Sequence, residues 1–176
     1  MIRICNCAVT ELTITALLFF DRLCYNGQDQ IFSWGAKVRQ STIEKYLTKV
    51  LTTDRVKEFL KQNNRPDMKI PHIIVVPTCG SLVAGQTIGD KLIKLSSWLL
   101  VDEEETLSVI RHESSHALKV HSMLTGGSHG AGFTQALKTV SPRTWRKDKY
   151  WYPNPEIEDA RLRIHKRSKH ILNRLR

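Results

Sequence analysis

Between positions 43 and 60 the apolar residues Ile43, Tyr46, Leu47, Val50, Leu51, Val56, Phe59 and Leu60 recur at roughly helical spacing. Ser41 and Thr42 stand in front as N-caps. The pattern predicts a helix over residues 43–63, interrupted near Thr52-Thr53-Asp54 and ended by Asn63-Asn64-Arg65-Pro66. Three short strand candidates follow. The first, 70–76, holds Ile73-Ile74-Val75-Val76 between Pro71 and Pro77. A weaker one, 81–87, carries Leu82, Val83 and Ala84; the third, 91–100, alternates partly through Ile93 and Leu95 and ends in Trp98-Leu99-Leu100. Gly80, Gly85 and Gly89-Asp90 mark the turns, and links this short read as a small meander.

Helical periodicity returns with Leu107, Ile110, Ala117, Leu118 and Leu124. Asp102 is a good N-cap, and Glu105 three residues on completes a capping box. Glu103 and Glu104 suit the positive end of the helix dipole, and Gly126-Gly127 is expected to close the helix. A shorter helix over 130–140 turns Phe133, Leu137 and Val140 inward and stops at Ser141-Pro142. A last helix runs from 156 to about 175. These elements predict an α+β fold in which a small three-stranded sheet packs with helices, followed by a basic C-terminal helix.

Residues 1–42 are an N-terminal segment of unclear role. Its apolar run 14–20 is flanked by Glu11 and by Asp21-Arg22, and no small-residue cleavage site follows. The run also falls short of the ~20 apolar residues a membrane span needs. The expectation is a buried helix or strand in a cytoplasmic protein without membrane association.

Charge adds one feature. The net charge of +10 is concentrated at the end, where residues 141–176 carry 11 Lys/Arg against 4 Asp/Glu. That excess suggests an anionic partner, most simply nucleic acid, although a solvated helix face or a solubilising tail would carry the same charge. The candidate phosphate contacts are Arg143, Arg146, Lys147, Lys149, Arg163, Lys166, Arg167 and Lys169. Trp145, Tyr150, Trp151 and Tyr152 are available to stack on unpaired bases, or alternatively to anchor the tail in the core. Ile164, Ile171, Leu172 and Leu175 form an apolar stripe that would dock the last helix. The four cysteines, Cys5, Cys7, Cys24 and Cys79, contain no CxxC pair and give no disulfide framework or zinc ribbon.

The chemistry concentrates in His112-Glu113-Ser114-Ser115-His116. Two histidines four residues apart project from one side of a helix and can share a metal ion. A glutamate directly after the first can reach a water on that metal as general base. Composition makes this pattern an accident of about one per cent. A catalytic zinc (Zn2+) takes three protein ligands and keeps a fourth position open. Candidates for the third are His121, His129 and an acid within 156–159. His121 lies five residues past His116 and is rotated away, whereas His129 follows a Gly-Gly turn that can bring the chain back. His129 is therefore the expected ligand beside His112 and His116. A glutamate from 156–159, closing the site as in gluzincin peptidases, is the second choice.

Residues 43–140 resemble the SprT-like domain of zinc metallopeptidases, the family of the eukaryotic protease Spartan. The likeness rests on the HExxH helix, on the preceding Leu95-Ser96-Ser97-Trp98-Leu99-Leu100, and on His129-Gly130-Ala131-Gly132-Phe133, which matches an HGxxF pattern. The order helix, small sheet, motif helix agrees as well. The resemblance implies a minimal zincin-like fold, zinc on His112, His116 and His129, and Glu113 as catalytic acid and base. It also implies protein substrates bound or crosslinked to DNA, hence a role in DNA repair with nucleoid association. The likeness ends before the basic extension, 141–176, and the zinc ribbon of many bacterial relatives is missing here. Two other readings stand beside it. One is a nucleic-acid-binding protein with a structural zinc, closed by His121 or Cys79 as fourth ligand; the other is a peptidase unrelated to DNA.

Overall fold

The computed structural model describes residues 38–79, 83–149 and 155–174. The expectations for residues 1–37, for Tyr150, Trp151 and Tyr152, and for the side chains of Arg167, Lys169, Ile171, Leu172 and Leu175 lie outside the described residues.

The first helical pattern folds as two helices, α1 (Gln40–Leu51) and α2 (Asp54–Gln62). The break falls at Thr52-Thr53, where Thr53 turns extended and its hydroxyl accepts the Val56 amide at 3.3 Å as the N-cap of α2. Ile43, Leu47, Val50 and Leu51 are buried from α1, and Val56, Phe59 and Leu60 from α2. The three strands are β1 (His72–Val76), β2 (Gly85–Ile88) and β3 (Leu92–Ser96).

The sheet is mixed, not the expected meander. Its order is β1-β3-β2, with β1 parallel to β3 (Ile73 opposite Ile93) and β2 antiparallel to β3 (Gly85 opposite Leu95). A tight turn at Gly89, which takes a φ of 62°, fixes β2 beside β3. Strand β3, with Ile93 and Leu95 buried, then occupies the centre and pairs with β1 on its other side. The third strand also ends earlier than expected. From Ser97 to Val101 the chain coils into a 3-10 turn. Coiling lets Trp98, Leu99 and Leu100 all be buried, whereas a strand would turn consecutive side chains to opposite faces.

Helix α3 (Glu103–His121) runs through the middle of the molecule. The Asp102 carboxylate accepts the Glu105 amide at 3.0 Å, the capping read from sequence. Thr106 and every residue from Ser108 to Leu118 except the partly exposed Arg111 are buried, so the polar residues of the motif are interior groups. On one side Val109 and Ile110 join a core with the sheet, the 3-10 turn and α1. On the other, Leu118 packs with Val56, Phe59, Leu60, Ala136 and Val140.

The C-terminal end of α3 corrects a second expectation. The helix stops at His121, several residues before Gly126-Gly127. Met123 takes the left-handed conformation (φ 52°), the Met123 amide bonds the Val120 carbonyl, and the Leu124 amide bonds the Lys119 carbonyl. That is a Schellman closure with methionine where glycine is usual, so no glycine announced it. Helices α4 (Ala131–Val140), α5 (Trp145–Lys149) and α6 (Pro155–Arg174) follow. Helix α6 docks through Ile157 and Ala160, which are buried in the same core as Ile43 and Leu99, with Ile164 packed against it. The architecture is α+β: a small three-stranded mixed sheet with helices around a central one. Among the described residues no helix is long and apolar enough to cross a membrane.

Candidate metal centre

His112 and His116 stand one turn apart on α3, and the loop after that helix returns His129 to them. The three Nε2 atoms form a nearly equilateral triangle: 3.1 Å from His112 to His129, and 3.2 Å for each of the other pairs. A tetrahedral ion ~2.0–2.1 Å from each imidazole nitrogen separates its ligands by about 3.3–3.4 Å. The triangle is therefore close to the size that one small divalent ion requires. His112 and His116 are buried and His129 is half-buried. Phe133 forms the floor, its ring centroid 4.9, 4.4 and 4.9 Å from those of His112, His116 and His129.

The lowered basicity of the rings favours ligation. Burial pulls the His112 imidazole down to about 4, against the opposing hydrogen bond to the Asp148 carbonyl. Burial also lowers His116 and His129, the latter helped by the charges of Lys149 and Lys119. All three rings are thus neutral at neutral pH, the form that binds a metal. The loop that delivers His129 is held tightly. Lys119 donates to the Gly126 and Gly127 carbonyls, both at 2.9 Å. Gly132 passes so near this loop that a Cβ there would lie 2.5 Å from the Thr125 carbonyl oxygen.

Glu113 is fully buried and faces β2. Thr87 of β2 shares its hydroxyl between Glu113 Oε2 (2.7 Å) and the Glu113 carbonyl (2.9 Å). The other carboxylate oxygen, Oε1, is buried with no hydrogen-bond partner among the described residues. Burial pushes the carboxyl up to about 7, opposed by the Thr87 hydrogen bonds. A group poised there can both take and give a proton near neutral pH. Gly85 makes room for it, since a Cβ at that position would lie 2.8 Å from Glu113 Cγ.

A second polar cluster supports the first. The His112 Nδ1 nitrogen lies 2.7 Å from the Asp148 carbonyl oxygen, which can only accept. The proton therefore resides on Nδ1 and the Nε2 lone pair faces the other histidines. The Asp148 carboxylate, itself buried, accepts both Arg111 Nε (2.8 Å) and Nη2 (3.0 Å). It also accepts the hydroxyls of Ser108 (2.7 Å), Thr144 (2.9 Å) and Ser141. Arg111 donates in addition to the Tyr46 hydroxyl at 2.6 Å. Burial raises the Asp148 carboxyl, but Arg111 and the hydroxyl donors outweigh it and hold it below the usual range.

Neither alternative ligand group joins the triad: among the described residues the group that could hold a metal ion is His112, His116 and His129. His121 Nδ1 instead lies 2.9 Å from Asp90 Oδ2. The Cys79 thiol is pushed up to about 11, chiefly by burial, and stays protonated at neutral pH. Of the carboxylates in 156–159, Glu158 pairs with Arg161 and Asp159 with Arg163 at 2.7 Å, while Glu156 is exposed.

The candidate phosphate contacts are divided. Arg143, Arg146 and Lys166 are exposed, with the Arg146 guanidinium 5.4 Å and Lys138 Nζ 4.8 Å from the Trp145 ring centroid. Lys147 bridges to Glu104 at 2.7 Å and lies 3.7 Å from Glu105, and Lys149 donates to the Thr134 hydroxyl at 3.0 Å.

Sequence reasoning missed Thr87, Gly85, Phe133 as a floor, and the Arg111–Asp148 cluster. One signal was present: Asp148 is the single acid in the basic run from Arg143 to Lys149. Comparison with known protein families, curated proteins and solved structures finds no match to this chain.

Proposed function

We propose that this protein is a zinc-dependent endopeptidase of the SprT-like type, with a minimal zincin-like fold. The observation that carries the proposal is the convergence of three neutral imidazole nitrogens beside a buried glutamate, one of whose oxygens has no hydrogen-bond partner among the described residues. His112, His116 and His129 would hold the ion. When bound, zinc supplies Lewis-acid polarisation of the scissile carbonyl and acidifies a water. Glu113 takes the proton of the attacking water at Oε1 and returns it to the leaving amine, which its raised carboxyl permits. Thr87 holds Oε2 and so leaves Oε1 as the working oxygen. The Asp148 carbonyl keeps His112 in the ligating tautomer, and Phe133 keeps the underside of the centre dry.

A structural zinc would be closed by four protein ligands, and among the described residues the cluster offers three. The pairing of Glu158 and Asp159 with arginines likewise argues against a gluzincin-type closure. The proposed substrates are proteins bound or crosslinked to DNA, acted on in the cytoplasm at the nucleoid. The family resemblance and the exposed Arg143, Arg146 and Lys166 support that part. The test is hydrolysis of an unfolded protein such as casein, with and without DNA. Cleavage should stop with a chelator and return with about one equivalent of zinc per chain. Cleavage unaffected by chelation would refute the proposal.

A further inference from the structure

We infer that Asp148 is a positioning residue of the metal centre, anchoring with its carboxylate the peptide whose carbonyl orients His112. The inference rests on the reading of the three histidines as metal ligands. Helix α5 is only five residues long and has little stability of its own. The buried Asp148 side chain ties it to the interior, receiving Arg111 through two nitrogens together with the hydroxyls of Ser108, Ser141 and Thr144. Arg111 directly precedes His112 on α3 and is itself steadied by Tyr46 of α1. One residue thus performs two tasks. Its side chain closes a bridge from α1 through α3 to α5, and its backbone oxygen, 2.7 Å from His112 Nδ1, fixes the ring's rotation and tautomer. Outer partners of this kind typically contribute 10–100-fold to metal affinity.

The experiment uses the full chain, prepared metal-free, as wild type, Asp148→Asn, Ser108→Ala and Thr144→Ala. Zinc affinity is measured by competition with a chromophoric chelator, unfolding of the metal-free form is followed in parallel, and the His112 Nδ1 proton is observed by NMR. Asp148→Asn should weaken zinc binding by ~10–100-fold and abolish the slowly exchanging Nδ1 proton signal. Each hydroxyl variant should shift both readouts the same way by less. A lower unfolding temperature with unchanged zinc affinity and an unchanged Nδ1 proton would make Asp148 merely structural and overturn the inference. If Asp148→Asn does not fold, the two hydroxyl variants decide, and unaltered affinity and proton signal in both overturns it. A wild type that binds no zinc would overturn the metal reading itself, and the inference with it; a defect confined to the variants cannot be mistaken for that.

Discussion

The Glu113 carboxylate sits where it does because of one methyl-sized gap at Gly85. Gly85 lies against the Glu113 side chain so closely that a Cβ there would sit 2.8 Å from Cγ and 3.1 Å from Oε1. The same Cβ would also lie 3.0 Å from Val109 Cγ1. Gly85→Ala should therefore displace the carboxylate, lowering kcat by at least ~10-fold and stability by about 1–3 kcal/mol, the range for overpacking a core. Zinc content should be unchanged. Steady-state kinetics with metal analysis checks this, and a fully active Gly85→Ala enzyme would contradict the placement of Glu113. Legibility in the sequence follows the reach of each relation. His112, Glu113 and His116 were readable because an i, i+4 pair on a helix is a local relation. His129 was reachable because a glycine turn leads back to it. Asp148, 36 residues from the ring that its carbonyl orients, acts through tertiary packing and left only an isolated acid in a basic run as its trace.

At the scale of elements, the start of α3 was legible because side-chain chemistry makes it. The Asp102 cap satisfies the Glu105 amide, so Asp102→Ala should destabilise the protein by about 1 kcal/mol, readable by chemical denaturation. The end of α3 was not legible, because backbone geometry makes it with a residue that does not advertise the turn. Met123 is 69% exposed and left-handed, a conformation that costs a side-chain-bearing residue ~1–2 kcal/mol. Met123→Gly should raise stability by a few tenths to about 1 kcal/mol after the flexibility gained by the unfolded chain is offset. A destabilised Met123→Gly variant would mean that the methionine side chain contributes packing that outweighs this strain. The strand order failed for a related reason. Alternation marks a strand but does not choose its neighbours, and the Gly89 turn fixed only the β2–β3 pair.

For the whole molecule, the basic C-terminal region divides between interior and surface. The Asp148 carbonyl lies against His112 of the histidine cluster, and Ile157 is fully buried in the main core. Ile157→Ala should cost ~2–5 kcal/mol, the usual range for emptying such a site, and thermal unfolding would register it. Arg143, Arg146 and Lys166 remain exposed, and these are the cations expected to meet phosphates. Arg143→Ala with Arg146→Ala should weaken DNA binding and reduce the log–log salt slope by roughly 0.7–0.9 per lost contact. An unchanged slope would assign this charge to solubility and remove the DNA link from the proposal. The peptidase proposal itself stands or falls on the histidine cluster and its glutamate. Glu113→Gln keeps the shape of the side chain and removes its capacity to carry a proton. The measurement that bears most directly on the account is protein hydrolysis by purified Glu113→Gln chain, with its zinc content determined on the same sample. About one zinc per chain and a rate at least ~100-fold below wild type are expected. Zinc retained with wild-type hydrolysis would contradict the proposal.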